Sequence, residues 1–158
     1  MHDDTVYNPL KYYNYLIGFN TRLDALQAGI LSVKLPHLDR LVEKRNSNAQ
    51  KYYNELKTTL LTMPHIIDEA VSAFNMFVVQ SENRDALVDK LKEKGISTGV
   101  YYPVPMHMQK VYKNLGYKTG DLPNSEYLSH RTFAIPVYPE LNIEQQNYII
   151  EVIQEYSR

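Results

Sequence analysis

The chain has 158 residues, enough for one domain that buries roughly two thirds of the surface its unfolded chain exposes. Its formal net charge is −1 with acidic and basic residues interspersed, which excludes the basic footprint of a nucleic-acid-binding protein. Because the sequence contains no cysteine and no apolar run of membrane-spanning length, we expect a cytoplasmic protein without a membrane partner, disulfides or thiol nucleophiles.

The first 62 residues are predicted to precede the compact part of the fold. Residues 1–20 are polar and aromatic without a clear period, which predicts a lead-in segment that can be disordered. From Leu23 onward apolar residues recur at helical spacing, so residues 21–62 are predicted to form a long helical segment. Pro36 should kink this segment or divide it into two helices.

Residues 63–158 alternate short strand and helix signals. Strands are predicted over Phe74–Val79, Ile96–Tyr102 and Thr132–Ile135. Helices are predicted from Asn83 to Lys94-Gly95, around Gln109–Leu115, over Asn124–His130, and after a capping box formed by Asn142 and Gln145. The predicted fold is a small α+β domain, in which helices cover a short three-stranded sheet behind a long helical lead-in.

Asn20 and Arg22 form the first candidate site. Asn20 suits a turn or helix cap, and Arg22 falls in the predicted first turn of the long helix. The helix dipole disfavours a cation there, so Arg22 either faces an anion or is simply solvated. Helix N–H groups, an amide and a guanidinium would together bind a phosphate or carboxylate. The alternative is that Asn20 is only a cap and Arg22 a solvated surface residue.

The second candidate site is a loop bracketed by Pro103 and Pro105. The two prolines restrict the backbone, so Tyr101, Tyr102 and His107 are held at low entropic cost. Rigid aromatic rings beside an imidazole suit stacking on, and hydrogen bonding to, a polar ligand. The alternative is a rigid surface turn with a solvated His107. No metal site is predicted, because the five histidines show no metal-ligand spacing.

Several segments, taken together, resemble one family of enzymes. They are Tyr15-x-x-Gly18-x-Asn20-x-Arg22-Leu23-Asp24-x-Leu26-Gln27-Ala28, Val33-Lys34-Leu35-x-His37-Leu38-Asp39, Lys94-Gly95-Ile96-x-Thr98-Gly99-Val100-Tyr101-Tyr102-Pro103-Val104-Pro105-x-His107, Leu115-Gly116-Tyr117-x-x-Gly120-Asp121 and Ile135-Pro136-Val137-Tyr138-Pro139-Glu140-Leu141. Occurring in order over nearly the whole chain, they resemble the DegT/DnrJ/EryC1/StrS sugar-nucleotide aminotransferases, which use pyridoxal phosphate (PLP) on the fold type I scaffold. The resemblance covers the C-terminal portion of that scaffold, including its small domain.

The resemblance implies a role for each candidate residue. Asn20 matches an asparagine that reaches across a homodimer interface to the PLP phosphate of the other subunit. Arg22 matches an arginine near the bound nucleotide sugar, and Tyr101, Tyr102 and His107 match a loop that borders the sugar pocket. The Tyr-Tyr-Pro form of this loop, with Asn75, is closer to members that act on nucleotide-linked 3-keto sugars.

The resemblance also implies that a necessary part is absent. In the family, the lysine that binds PLP lies in an N-terminal domain, and none of the 11 lysines here sits in that motif. Aminotransfer needs such a lysine, so we expect the chain alone to bind no PLP and to be inactive. One alternative is a binding or assembly module that pairs with itself or with a separately encoded N-terminal half. Another is an unrelated ligand-binding α+β domain.

Overall fold

The computed structural model describes residues 12–20 and 22–157. The helices are α1 (Ala25–Lys34), α2 (Leu38–Glu55), α3 (Arg84–Glu93), α4 (Pro123–Arg131) and α5 (Ile143–Tyr156), with 3₁₀ turns at Leu35–His37, Met106–Met108 and Lys110–Leu115. Two strands, β1 (Phe77–Gln80) and β2 (Thr132–Ile135), pair antiparallel with Phe77 opposite Ile135. Within the described ranges no helix has the length and apolar character needed to cross a bilayer.

The predicted helical lead-in is present and is divided where Pro36 was expected to divide it. Pro36 lies at the start of the 3₁₀ turn between α1 and α2, a position where its missing N–H costs no helical hydrogen bond. No residue of α1 is buried, and its apolar side chains include Leu26 at 77% exposure and Val33 at 73%. Helix α1 therefore presents an apolar face that no other part of the described chain covers.

Helix α2 joins this lead-in to the core. Its Tyr52 is fully buried, packs its ring 5.4 Å from that of Phe77, and donates a hydrogen bond of 2.7 Å to the carbonyl of Pro136. Burial of an aromatic body with its hydroxyl satisfied fixes α2 against β1 and the residue that follows β2. The remaining core comes from β1, β2, α3 and α5, including Leu91, Phe133 and Ile153.

The prediction of three strands is wrong, because the described residues form a sheet of two strands. In the segment predicted as the middle strand, only Gly99 pairs with β2, exchanging both backbone hydrogen bonds with Ala134. The amide of Ile96 instead bonds the carbonyl of Leu91 and closes the end of α3. At the other end Pro103 has no amide to offer, so the segment can form a single bridge but no ladder.

Several local predictions are confirmed. Helix α3 ends at Lys94-Gly95, where Gly95 adopts a φ of +75°. Asn142 caps α5 by accepting from the Gln145 amide at 2.8 Å, and the Gln145 side chain accepts from the Asn142 amide in return.

The predicted helix near Gln109 is a 3₁₀ turn rather than an α-helix.

Candidate functional site

A cavity of about 480 Å³ lies where the proline-bracketed loop, α4 and the lead-in meet. Tyr101, Tyr102 and His107 all line it, so the structure brings together three of the five predicted site residues. Opposite them α4 and its flanks contribute Leu122, Ser125, Leu128, Ser129 and Thr132, and the lead-in contributes Tyr12 and Asn14. The lining is aromatic and apolar with a few hydroxyl and amide groups, which is the usual composition of a small-molecule site.

The two tyrosines form a rigid aromatic corner. Their rings lie 5.7 Å apart at 80°, and the ring of Tyr12 meets that of Tyr102 at 6.2 Å in an edge contact. The Tyr101 ring lies directly over Gly99, where an added Cβ would come within 2.5 Å of its Cε2 atom. A glycine is therefore required at position 99 for the ring to occupy this place. Tyr102 remains 63% exposed, so its ring is available to a ligand.

The His107 side chain is buried and hydrogen-bonded rather than solvated. Its side chain is 3% exposed, and its Nε2 atom lies 3.0 Å from Oε1 of Glu126. The ring of Tyr117 packs against the imidazole edge at 6.0 Å. The alternative of a surface turn with a solvated His107 is therefore wrong, and the imidazole is a fixed part of the cavity wall.

Glu126 was missed by the sequence analysis. Its carboxylate accepts from His107 and from the amide of Gly120, which lies 2.9 and 3.0 Å from the two oxygens. The Gly120 amide first and the His107 ring second lower the pKa of Glu126. The available signal was weak: an acid in the first turn of a helix is more often explained by the helix dipole.

Gln109 is the second residue that was missed. It is buried, and its side chain accepts from the Asn14 amide at 3.0 Å and donates to the carbonyl of Tyr12. The Val111 amide adds a bond of 3.1 Å to the Asn14 carbonyl. These contacts place residues 12–14 of the lead-in along the cavity wall. Residues 1–11, which the disorder expectation also covers, lie outside the described residues.

Asn20 and Arg22 do not line this cavity, and the geometry predicted for them is wrong. Helix α1 begins at Ala25, and its N-cap is Asp24, whose carboxylate accepts from the Gln27 amide at 2.8 Å. Arg22 therefore precedes the cap instead of sitting in the first turn, and an acid already satisfies a first-turn amide. Asn20 and Arg22 are both exposed on the lead-in. An anion bound by Asn20 and Arg22 would therefore lie on the exposed surface and not in this cavity.

The cavity lining limits its chemistry. Among the described residues it contains no lysine, arginine, aspartate or glutamate, and its one titratable nitrogen base is His107. It can stack on and hydrogen-bond a neutral polar group, but it has no amine that could bind an aldehyde. Within the same described ranges no cluster of His, Asp or Glu could hold a metal ion. This lining by itself therefore offers neither a Schiff-base lysine nor a cation for the phosphate of PLP.

The comparisons with known proteins identify this small α+β unit with its long helical lead-in as the C-terminal part of an aminotransferase. The family model of the DegT/DnrJ/EryC1/StrS aminotransferases matches residues 4–154. The chain belongs to this family, whose members are PLP-dependent aminotransferases of sugar nucleotides.

Three relatives show how much of such a protein is represented. The chain is 44% identical to a pleiotropic regulatory protein of Geobacillus stearothermophilus, covering 94% of this chain and 41% of the relative. It is 38% identical to the erythromycin biosynthesis sensory transduction protein EryC1 of Saccharopolyspora erythraea, covering 91% and 40%. It is 33% identical to a dTDP-3-amino-3,6-dideoxy-alpha-D-galactopyranose transaminase of Aneurinibacillus thermoaerophilus, covering 93% and 40%. The chain thus spans about 40% of the length of these relatives.

Solved structures give the same proportion. An aminotransferase of this family from Brucella abortus superposes with a TM-score of 0.78 at 37% identity, over 92% of this chain and 39% of that one. The structure of S. venezuelae DesV in complex with a ketimine intermediate gives a TM-score of 0.82 at 31% identity, over 92% and 40%. The fold is therefore that of the C-terminal part of these aminotransferases.

Proposed function

We propose that this chain acts as the C-terminal part of a PLP-dependent sugar-nucleotide aminotransferase and supplies substrate and cofactor contacts without the lysine that binds PLP. The observation that carries the proposal is the shared cavity of Tyr101, Tyr102 and His107, because the three residues matched to the family's sugar pocket converge there. A nucleotide-linked 3-keto sugar is the substrate class that we favour, and the cytoplasm is the compartment that we favour.

The chemistry of the cavity fits the part of a substrate that needs no charge. A sugar ring offers an apolar face to tyrosine and hydroxyl groups to His107 and the serines of α4. The diphosphate of a nucleotide sugar needs cations, which the lining lacks. In the proposal Arg22 supplies one of them, and Asn20 contacts the PLP phosphate of a second subunit. Their exposure on the lead-in suits residues that serve a neighbouring active site.

Binding of a nucleotide sugar tests this assignment. We would titrate dTDP-glucose and UDP-glucose into the purified chain and follow the cavity tyrosines by NMR. Tyr102→Ala should weaken binding about fivefold, since a lost aromatic contact is worth about 1 kcal/mol. Tyr148→Ala is the matched control, because Tyr148 is an exposed tyrosine on α5 outside the cavity. No binding, or equal losses in both variants, would contradict the assignment.

A second candidate function is assembly without catalysis, and the exposed face of α1 favours it. A groove of about 630 Å³ runs along this face, lined by apolar residues that include Leu31, Leu35 and Leu38. An exposed apolar groove of this kind is typical of a surface that another protein covers. The chain would pair with itself, as a homodimer, or with a separately encoded N-terminal half.

Light scattering distinguishes these outcomes. We expect the purified chain to associate with itself, and Leu35→Glu to reduce that association by placing a charge in the groove. Leu60→Glu is the matched control, because Leu60 is similarly exposed but lies outside the groove. A strict monomer at high concentration would count against self-assembly.

A further inference from the structure

Glu126 lies behind the cavity wall rather than in it. It is on the first turn of α4 and is absent from the cavity lining, whereas its partner His107 is part of that lining. Its carboxylate joins three segments: α4 itself, the 3₁₀ turn that carries His107, and the loop tip at Gly120. Any effect of Glu126 on a ligand must therefore pass through His107.

The chemistry of this contact determines which imidazole nitrogen carries hydrogen. An ionised carboxylate only accepts hydrogen bonds, and two donors, the Gly120 amide and the His107 ring, already stabilise the charged form of Glu126. Because Nε2 of His107 faces that carboxylate at 3.0 Å, a neutral imidazole must carry its hydrogen on Nε2. The other nitrogen, Nδ1, is then a free acceptor.

The surroundings of Nδ1 are consistent with a role toward the cavity. Over residues 12–20 and 22–157, the one hydrogen bond of the His107 ring is that of Nε2. No fully buried side-chain nitrogen or oxygen in those ranges lacks a partner, so Nδ1 is not sealed from solvent. His107 itself lines the cavity, and the edge contact with Tyr117 restricts rotation of its ring.

We propose that Glu126 is a positioning residue that fixes His107 as the Nε2–H tautomer, so that Nδ1 is presented as a hydrogen-bond acceptor. The cavity then selects a ligand group that carries a donor hydrogen, such as a hydroxyl or amino group, next to His107. This ligand preference rests on the proposed function, whereas the tautomer is a property of the chain without ligand.

Imidazole nitrogen NMR on the chain labelled with ¹⁵N-histidine tests the assignment. At a pH where the histidines are neutral, we expect the Nε2–H form of His107 to exceed the Nδ1–H form about tenfold or more, because a charged acceptor favours one tautomer by that factor. In Glu126→Gln the excess should fall, since a carboxamide can offer either an acceptor or a donor to Nε2 and so no longer favours one tautomer as strongly. Glu144→Gln is the matched control, because Glu144 also lies in the first turn of a helix but has no side-chain partner in the described chain.

The experiments distinguish failure of the tautomer assignment from failure of the proposed function. An Nδ1–H form or an equal mixture in the unmodified chain would overturn the proposal, even if Glu126→Gln failed to fold. A folded Glu126→Gln that keeps the same tautomer excess would overturn it as well. Failure of dTDP-glucose to bind would count against the proposed function and would leave the tautomer result intact.

Discussion

Gln109 joins residues 12–14 to the cavity wall through two side-chain hydrogen bonds. Gln109→Ala removes a hydrogen bond from the Asn14 amide and one to the Tyr12 carbonyl, across more than ninety intervening residues. Each such bond contributes about 0.5–1.5 kcal/mol, so the docking of residues 12–14 should weaken by about 1–3 kcal/mol. That loss corresponds to a roughly fivefold to hundredfold increase in local opening.

Hydrogen exchange of the peptide covering residues 12–20 measures this opening. We expect faster exchange there in Gln109→Ala, with little change in the exchange of α2 and α5, because residues 12–20 contribute no side chain to the core. Gln50→Ala is the matched control, because the Gln50 side chain donates to Asn54 within α2, away from residues 12–14, and its loss should leave their exchange unchanged. Unchanged exchange in Gln109→Ala would show that these two hydrogen bonds do not hold residues 12–14 in place.

Three further predictions concern the aromatic corner, the Glu126 contact and the core. Gly99→Ala should displace the Tyr101 ring and shift its NMR signals, because the new Cβ would lie 2.5 Å from Cε2 of that ring. By contrast, the Cβ of Gly29→Ala in α1 would meet nothing within 4 Å, so this variant should raise the free energy of unfolding by about 0.5–1 kcal/mol. The pKa of Glu126 is lowered from its ordinary value of 4.5, so the ionised carboxylate stabilises the fold fully above pH 4.5. This stabilisation is lost as the pH falls through the lowered pKa of the folded protein. The Tm should therefore fall less on acidification in Glu126→Gln than in the unmodified chain. Tyr52→Phe should cost about 1–2 kcal/mol in denaturant unfolding, since it removes a buried 2.7 Å hydrogen bond, and an unchanged midpoint would contradict this.

The parts of the fold that could be predicted are those encoded by neighbouring residues. Pro36 divides the lead-in, and Asn142 with Gln145 opens α5, because each acts on the backbone within four residues of itself. The third strand failed for the opposite reason. A strand needs a partner with free backbone groups, and that this segment meets β2 only at Gly99 depends on Ala134, which is far along the chain and invisible in a local pattern.

The candidate site divides in the same way. Tyr101, Tyr102 and His107 were found because the prolines mark their loop in the sequence. The contact from Glu126 to His107 spans 19 residues and that from Gln109 to Asn14 spans 95, so neither follows a helical or strand period. The start of α1 was misplaced because Asn20 and Asp24 are both good caps, and only the geometry shows that Asp24 is used.

The central claim is that this chain needs a lysine from elsewhere to hold PLP. The most direct measurement is incubation of the purified chain with PLP, followed by borohydride reduction and mass spectrometry of the intact protein, with a full-length family aminotransferase as the positive control. We expect no stoichiometric phosphopyridoxyl adduct on this chain. A stoichiometric adduct that maps to a single lysine would contradict it.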